Sequence, residues 1–205
     1  RVQMGLDDPV MVRFMNYMKN AVRGDFGVSY KLNRNVTDLI INAFPHTVRL
    51  SLFAALIAWI IGIPSGIISA VKQNSLIDRL FMSFSLLGVS MPVFWAALML
   101  QYVFAYKLRL LPVSGHETWR HLLMPAVVLG WSSAGTIARL TRSSLLEIMK
   151  NDFVRTARAK GLKESIVVVG HALKNALLPV VTMMAIQVAS LLSGAVITES
   201  VFGIP

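Results

Sequence analysis

The residues best placed to do chemistry in this chain lie between Asp152 and Pro179, in the run DFVRTARAKGLKESIVVVGHALKNALLP. Here Arg155, Arg158, Lys160, Lys163 and Lys174 stand between two long uncharged stretches. What this pattern offers is docking rather than catalysis. Asp152 is predicted to cap a short helix over Phe153–Lys160, and Gly161 to end it in the left-handed conformation. Ser165 is predicted to start a second helix, Ile166–Ala176, with Ile166, Val169, Leu173 and Leu177 inward. Two short helices joined at a glycine make an elbow, and the small side chains of Ala157, Ala159 and Gly161 leave room for another protein surface. On composition alone, a solvated or lipid-adsorbed basic loop is the plainer alternative.

Other candidates are sparser. Gln101, Gln187, Ser190 and Ser193 are neutral polar groups within apolar stretches, suited either to lining a translocation pathway or to hydrogen bonding between helices. His116 and His121 lack zinc-like spacing and a third ligand. The sequence has no cysteine, which removes disulfides, thiolate metal sites and cysteine nucleophiles. No nucleophile elbow supports Ser–His–Asp catalysis, and no G-x-x-x-x-G-K-[ST] supplies a nucleotide site. This chain is therefore expected to hold no metal or cofactor and not to be an enzyme.

The elements that position these residues follow from hydropathy. Of 205 residues 55% are hydrophobic and 15% charged, with mean hydropathy +0.63, too apolar for an ordinary soluble domain. The net charge of +10 sits mainly between apolar runs, where lipid headgroups and membrane orientation account for it. No basic face with interleaved aromatics points to nucleic acid. Measured against the roughly 20 residues a spanning helix requires, four charge-free windows stand out, Leu50–Val71, Leu80–Tyr106, the shorter Leu122–Ala138, which a snorkelling Arg139 extends, and Asn175–Thr198, giving spans at about 47–71, 80–106, 121–141 and 175–198. An all-α polytopic transmembrane helix bundle is the fold class. Each span carries a proline (Pro64, Pro92, Pro125, Pro179), tolerated where neighbouring groups satisfy the freed carbonyls. Small residues such as Gly62 and Gly66 provide close-packing surfaces. No Asp, Glu, Lys, Arg or His lies well inside these windows, which argues against an ion-coupled carrier and against membrane-embedded acid–base catalysis.

Residues 1–46 are predicted to form a separate extracytoplasmic segment. It contains an amphipathic helix capped at Asp8-Pro9, with Val10, Phe14, Met18 and Ala21 on one face, and a second short helix, Thr37–Ala43, ending before Pro45. Residues 47–205 form the transmembrane domain. The segment Arg139–Lys174 carries eight Lys and Arg against three in Lys107–Arg120, so the positive-inside rule places the loop 142–174 in the cytoplasm. Starting at Arg1 and stopping at Pro205, just past an apolar run, the chain is expected to be part of a longer protein.

Several motifs together resemble a known family. The segment DFVRTARAKGL followed by HALKNALLPVVT is similar to the cytoplasmic loop signature of ATP-binding cassette importer permeases, in the branch serving dipeptides, oligopeptides, nickel and glutathione. Ala157 and Gly161 occupy the signature's Ala and Gly positions, while Arg155 and Thr156 replace its Glu and first Ala. GLDDP at 5–9, GDFGVSY at 24–30, LGVSMPVFW at 87–95, LPVSG at 111–115 and ITESVFGIP at 197–205 extend the resemblance over nearly the whole chain. It implies a type I importer permease fold with about six spans, of which four lie here, in an inner (cell) membrane. The implied function is a translocation pathway for a peptide, nickel or similar small solute delivered by an extracytoplasmic binding protein. The implied partners are a second homologous permease subunit and two ATPase subunits, which bind the ATP and magnesium. Asp152, Arg155, Ala157, Arg158, Gly161 and Leu162 would form the ATPase-coupling loop. An ATPase-independent channel or ion-coupled secondary transporter is the alternative reading, with a non-transporting anchor as a third.

Overall fold

The computed structural model describes residues 9–204, so Gly5–Asp8, with the expected Asp8 cap, and Pro205 lie outside the described residues. The chain divides into two compact units, Arg1–His46 and Thr47–Pro205. In the first, helix α1 (Val10–Val22) has no buried residue, and strands β1 (Val28–Ser29) and β2 (Arg34–Asn35) pair antiparallel with Val28 opposite Asn35. The Thr37 hydroxyl donates to the Gly24 carbonyl at 2.7 Å, tying the end of α1 to the start of the next helix.

That helix, α2 (Val36–Val71), is continuous over 36 residues, so the separate helix expected over Thr37–Ala43 is not formed. Proline removes only one backbone bond from a helix, and a long apolar helix carried on both sides of Pro45 keeps the rest. Pro64 and Pro125 are likewise absorbed. Beside Pro64 the Ser65 hydroxyl donates to the Ile61 carbonyl at 2.6 Å.

Pro92 behaves differently. The expected span 80–106 is two helices, α3 (Leu76–Ser90) and α4 (Val93–Leu100), with α4 continuing as a π-helical segment to Lys107, and the two halves meet at 104°. Met91, just before the proline, is extended at φ −76°, ψ 133°, because the proline ring crowds the helical conformation of its predecessor. Among the described residues, three helices are long and apolar enough to cross a membrane, or four if the bent pair counts as one span.

Helix α5 (Trp119–Ile148) runs for 30 residues, past the expected end at 141, and so carries Arg139 and Arg142 within a regular helix. After α6 (Asp152–Ala159) come α7 (Glu164–Ile166), a π-helical turn Val167–Ala172, α8 (Leu173–Gly194) and the short α9 (Val196–Phe202). Helix α5 is the centre of the second unit. Its Ala134, Ile137, Ala138 and Thr141 lie against Gly62 and Gly66 of α2, and its Ser144 hydroxyl donates to the Ala176 carbonyl of α8 at 2.8 Å. Among the described residues, apolar packing forms two clusters. One surrounds Leu50, Met124, Val128 and Phe202, and the other surrounds Ala70, Leu145 and the α6 elbow.

Candidate functional site

Helix α6 starts one residue earlier than expected. Asn151, extended at φ −73°, ψ 152°, takes the capping position and makes no side-chain cap bond, which leaves Asp152 as the first helical residue. A carboxylate there favours the positive end of the helix. Its oxygen lies 3.5 Å from Arg155 Nη1, a pair so exposed that it adds nothing of weight to stability.

The eight residues of α6 bury only Val154 and Ala157, spaced i, i+3 and therefore on one face. These two side chains pack with Ala70 at the end of α2, Leu145 near the end of α5, and Val167, Val168, Ala172 and Ala176. Ala157 thus does not make room for a partner, as expected from its size; it makes room for the chain's own helices. The opposite face carries Phe153, Arg155, Thr156 and Lys160, with Leu162 beyond the elbow, all exposed.

Gly161 sits at φ +76° and donates its N–H to the Arg158 carbonyl at 2.9 Å, the left-handed ending that a glycine adopts without strain. Across this turn the Arg158 guanidinium donates to both Glu164 oxygens, Nη2 to Oε1 at 2.6 Å and Nε to Oε2 at 3.1 Å. The Glu164 hydrogen bond raises the Arg158 pKa above its usual value. Both side chains are about half exposed, 40% and 52%, so the bridge holds the elbow's shape with little energy. Glu164→Gln is expected to cost less than about 1 kcal/mol. Its signature is faster amide hydrogen exchange confined to Asp152–Ala159, with thermal stability unchanged. A cleft of 340 Å³ opens beside the bridge, lined in part by Gln73, Met149, Lys150, Arg158 and Glu164, so the surface around the elbow contains a recess.

The inward face after the elbow differs from expectation. Val167, Val168, Ala172 and Ala176 are buried, whereas Ile166 and Val169 are exposed and Leu173 and Leu177 half-buried. The π-helical turn Val167–Ala172 accounts for this: its wider turn rotates the following residues relative to an α-helical register.

The polar residues considered for a pathway are placed as follows. Gln101 Nε2 donates to the Val113 carbonyl at 2.9 Å and the Val201 carbonyl at 3.1 Å, joining α4's π-helical extension to the next loop and to α9. Gln187 is buried and its Nε2 donates to the Ser133 carbonyl of α5 at 3.0 Å. Ser190 and Ser193 are exposed on α8, and the Ser193 hydroxyl bonds the Ala189 carbonyl of its own helix. The structure does not gather these four into one cluster with the α6 elbow.

Sequence reasoning missed one pair. Asp78, in the first turn of α3, forms a two-pronged salt bridge with Arg142 of α5. Ser75 immediately before α3 signals a capped helix start at this place, yet nothing local announces a partner 64 residues away.

The chain is similar to known proteins. The family model described as "Binding-protein-dependent transport system inner membrane component" matches residues 62–205. The dipeptide transport system permease protein DppB of Alkalihalophilus pseudofirmus is 40% identical, over 99% of this chain and 69% of its own length. The glutathione transport system permease protein GsiC of Escherichia coli (strain K12) is 42% identical, over 100% of this chain and 67% of its own. Among solved structures, an inward-facing MetNI methionine ABC transporter chain superimposes with TM-score 0.66 at 18% identity, over 85% of this chain and 77% of that one. An amino acid ABC transporter with histidines gives 0.59 at 18% identity, over 80% and 72%. These two likenesses concern the fold.

Proposed function

Because this chain belongs to the family of binding-protein-dependent transport system inner membrane components, the permease subunits of ATP-binding cassette importers, we propose that α6 is the element through which it is driven by a separate ATPase subunit. The observation that carries this reading is the division of α6 into two faces. Val154 and Ala157 anchor it to the ends of α2 and α5, while Phe153, Arg155 and Lys160, with Leu162 past the elbow, face outward beside a recess. A helix held by one face and apolar at an exposed Phe153 is suited to sit in a groove of another protein.

In this reading two ATPase subunits hold the ATP and magnesium, and their closure moves α6. That movement rocks this chain and a second homologous permease subunit between inward-facing and outward-facing states. The loop 142–174 lies in the cytoplasm and residues 1–46 outside, where an extracytoplasmic binding protein delivers the solute. The cargo is a small solute of the kind named for the relatives, a dipeptide or glutathione, with nickel the alternative cargo of the same branch. Gln101, Gln187, Ser190 and Ser193 remain the proposed polar groups of the pathway. Gln101 and Gln187 already hold helix–helix hydrogen bonds, which favours a role in shaping that pathway rather than in contacting solute.

The test is a series at Gly161. Space for a side chain exists there, since nothing lies within 4 Å of an added Cβ, so any effect comes from the left-handed backbone alone. That conformation costs an ordinary residue about 1–2 kcal/mol and asparagine less. Solute accumulated per ATP hydrolysed by the reconstituted complex is expected to fall in the order Gly, Asn, Ala, Val, with roughly a tenfold loss for Val, the equivalent of about 1.4 kcal/mol. Unchanged coupling in Gly161→Val would overturn the assignment of α6.

A further inference from the structure

Beside the α2–α3 turn, two groups of opposite charge hold three elements together. Arg142 of α5 donates through Nε to Asp78 Oδ1 at 2.8 Å and through Nη2 to Oδ2 at 2.7 Å, a fork-on-fork arrangement with fixed direction as well as fixed distance. The same Oδ2 accepts the backbone N–H of Asn74 at 2.9 Å, and the Asp78 N–H donates to the Ser75 hydroxyl at 3.2 Å. One carboxylate therefore orders the α2–α3 turn and grips α5. The Asp78 side chain is 4% exposed and that of Arg142 25%.

Stability alone is a poor reason for such a pair. Burying a carboxylate as fully as that of Asp78 costs several kcal/mol, and well-packed apolar side chains of similar volume often hold helices equally well or better. What an apolar contact lacks is directionality: it lets one helix slide or roll on the other, whereas a forked ion pair resists both.

The location of the pair gives that stiffness a use. Leu145, one turn beyond Arg142 on α5, packs in the cluster that contains Val154 and Ala157 of α6, as does Ala70 from the last turn of α2. At the other end of α3 lies the break at Met91–Pro92, where the chain turns through 104° into α4. From α6 to that break the route runs along α5, across the Asp78–Arg142 fork, and up α3.

We propose that Asp78 and Arg142 are positioning residues for transport, whose forked contact carries a displacement of α6 from α5 into α3 and thereby shifts the bent α3–α4 pair. This rests on the reading of α6 as the driven element. If α6 moved without the fork, α3 would follow α5 only through packing such as Gly88 against Trp131 and Gly135 against Ser85, and the bend would follow less closely.

The test uses the complete complex, full-length permease with its partner permease and ATPase subunits in nanodiscs, after replacement of any cysteine outside these 205 residues, which contain none. Spin labels are placed on introduced cysteines at Leu86 of α3 and Ile186 of α8. The distance distribution between them is compared with ADP and with a non-hydrolysable ATP analogue. The unsubstituted background is expected to show a nucleotide-dependent shift. The apolar pair Asp78→Leu/Arg142→Met is expected to lose most of that shift while the ATPase subunits still co-purify. Arg142→Lys, which keeps the charge without the fork and guards against failure of the apolar pair to fold, is expected to lose a substantial part of it. The charge-exchanged pair Asp78→Arg/Arg142→Asp is expected to recover more of the shift than either single change. A full shift in Arg142→Lys or in the apolar pair overturns the proposal. Failure of the underlying reading looks different: the shift would then persist in Gly161→Val.

Discussion

Gly66→Leu is expected to prevent assembly of the bundle. A Cβ at Gly66 would lie 2.5 Å from the Ala138 carbonyl oxygen and 2.6 Å from the Thr141 Cβ. Neither atom can swing away, because one is α5 backbone and the other a branch point attached to it. Relief requires α2 and α5 to separate, and α5 is the helix against which α2, α3 and α8 all pack. Overpacking of a core usually costs about 1–3 kcal/mol, and backbone-to-backbone contact puts this site at or above the upper end. In a bilayer there is little hydrophobic compensation for the lost contact, since lipid is as apolar as the helix it replaces. The measurement is the yield of monodisperse protein in mild detergent together with its thermal midpoint. Gly161→Leu is the control: with open space around Gly161, it is expected to change coupling and leave yield and midpoint near normal. Wild-type yield in Gly66→Leu would show that the α2–α5 crossing is not where the structure places it.

Val154→Asp is expected to release α6 from the bundle while the rest of the protein stays folded. Val154 is fully buried, and with Ala157 it provides all of the helix's burial. Burying a valine stabilises by about 1.5–3 kcal/mol, and an unpaired charge at a buried position costs about 3–5 kcal/mol. The substitution therefore exceeds everything that holds the eight-residue helix down. Limited proteolysis at Arg155 and Arg158, and hydrogen exchange over 152–159, should rise to the level of an open loop. Transport should fall by a hundredfold or more, since the sum of the two terms is worth several factors of ten. Phe153→Ala separates anchoring from partner contact, because Phe153 is exposed at 42%: protease resistance of α6 should persist while ATPase subunits bind less tightly. Protease resistance retained in Val154→Asp would contradict the docked position of α6.

The elbow was legible because its signal is local: a glycine after eight helix-forming residues marks a left-handed turn, which Gly161 adopts at φ +76°. Face assignments were less legible. Ala157 reads equally well as a gap left for a partner or for a neighbouring helix, and the buried cluster decides for the latter. The residues after the elbow were misplaced by about one position because a π-helical turn has no periodic signature to extrapolate from.

Proline shows the same limit. Pro45, Pro64, Pro92 and Pro125 look alike in sequence, each removing a donor and crowding the preceding turn, yet only Pro92 divides its helix. Whether the lost bond breaks the helix depends on what the surrounding packing holds in place, and that is settled between helices rather than along one.

Hydropathy, charge distribution and motif order are properties of neighbouring residues, so the class of protein, the apolar helices, the elbow and the family follow from them directly. Which face of α6 is anchored, where the span at Pro92 bends, and that Asp78 is gripped by Arg142 from 64 residues away emerge from the folded chain alone. Each of these depends on two segments meeting in space. The free energy that selects the partner, desolvation set against a forked hydrogen bond, does not exist until they do.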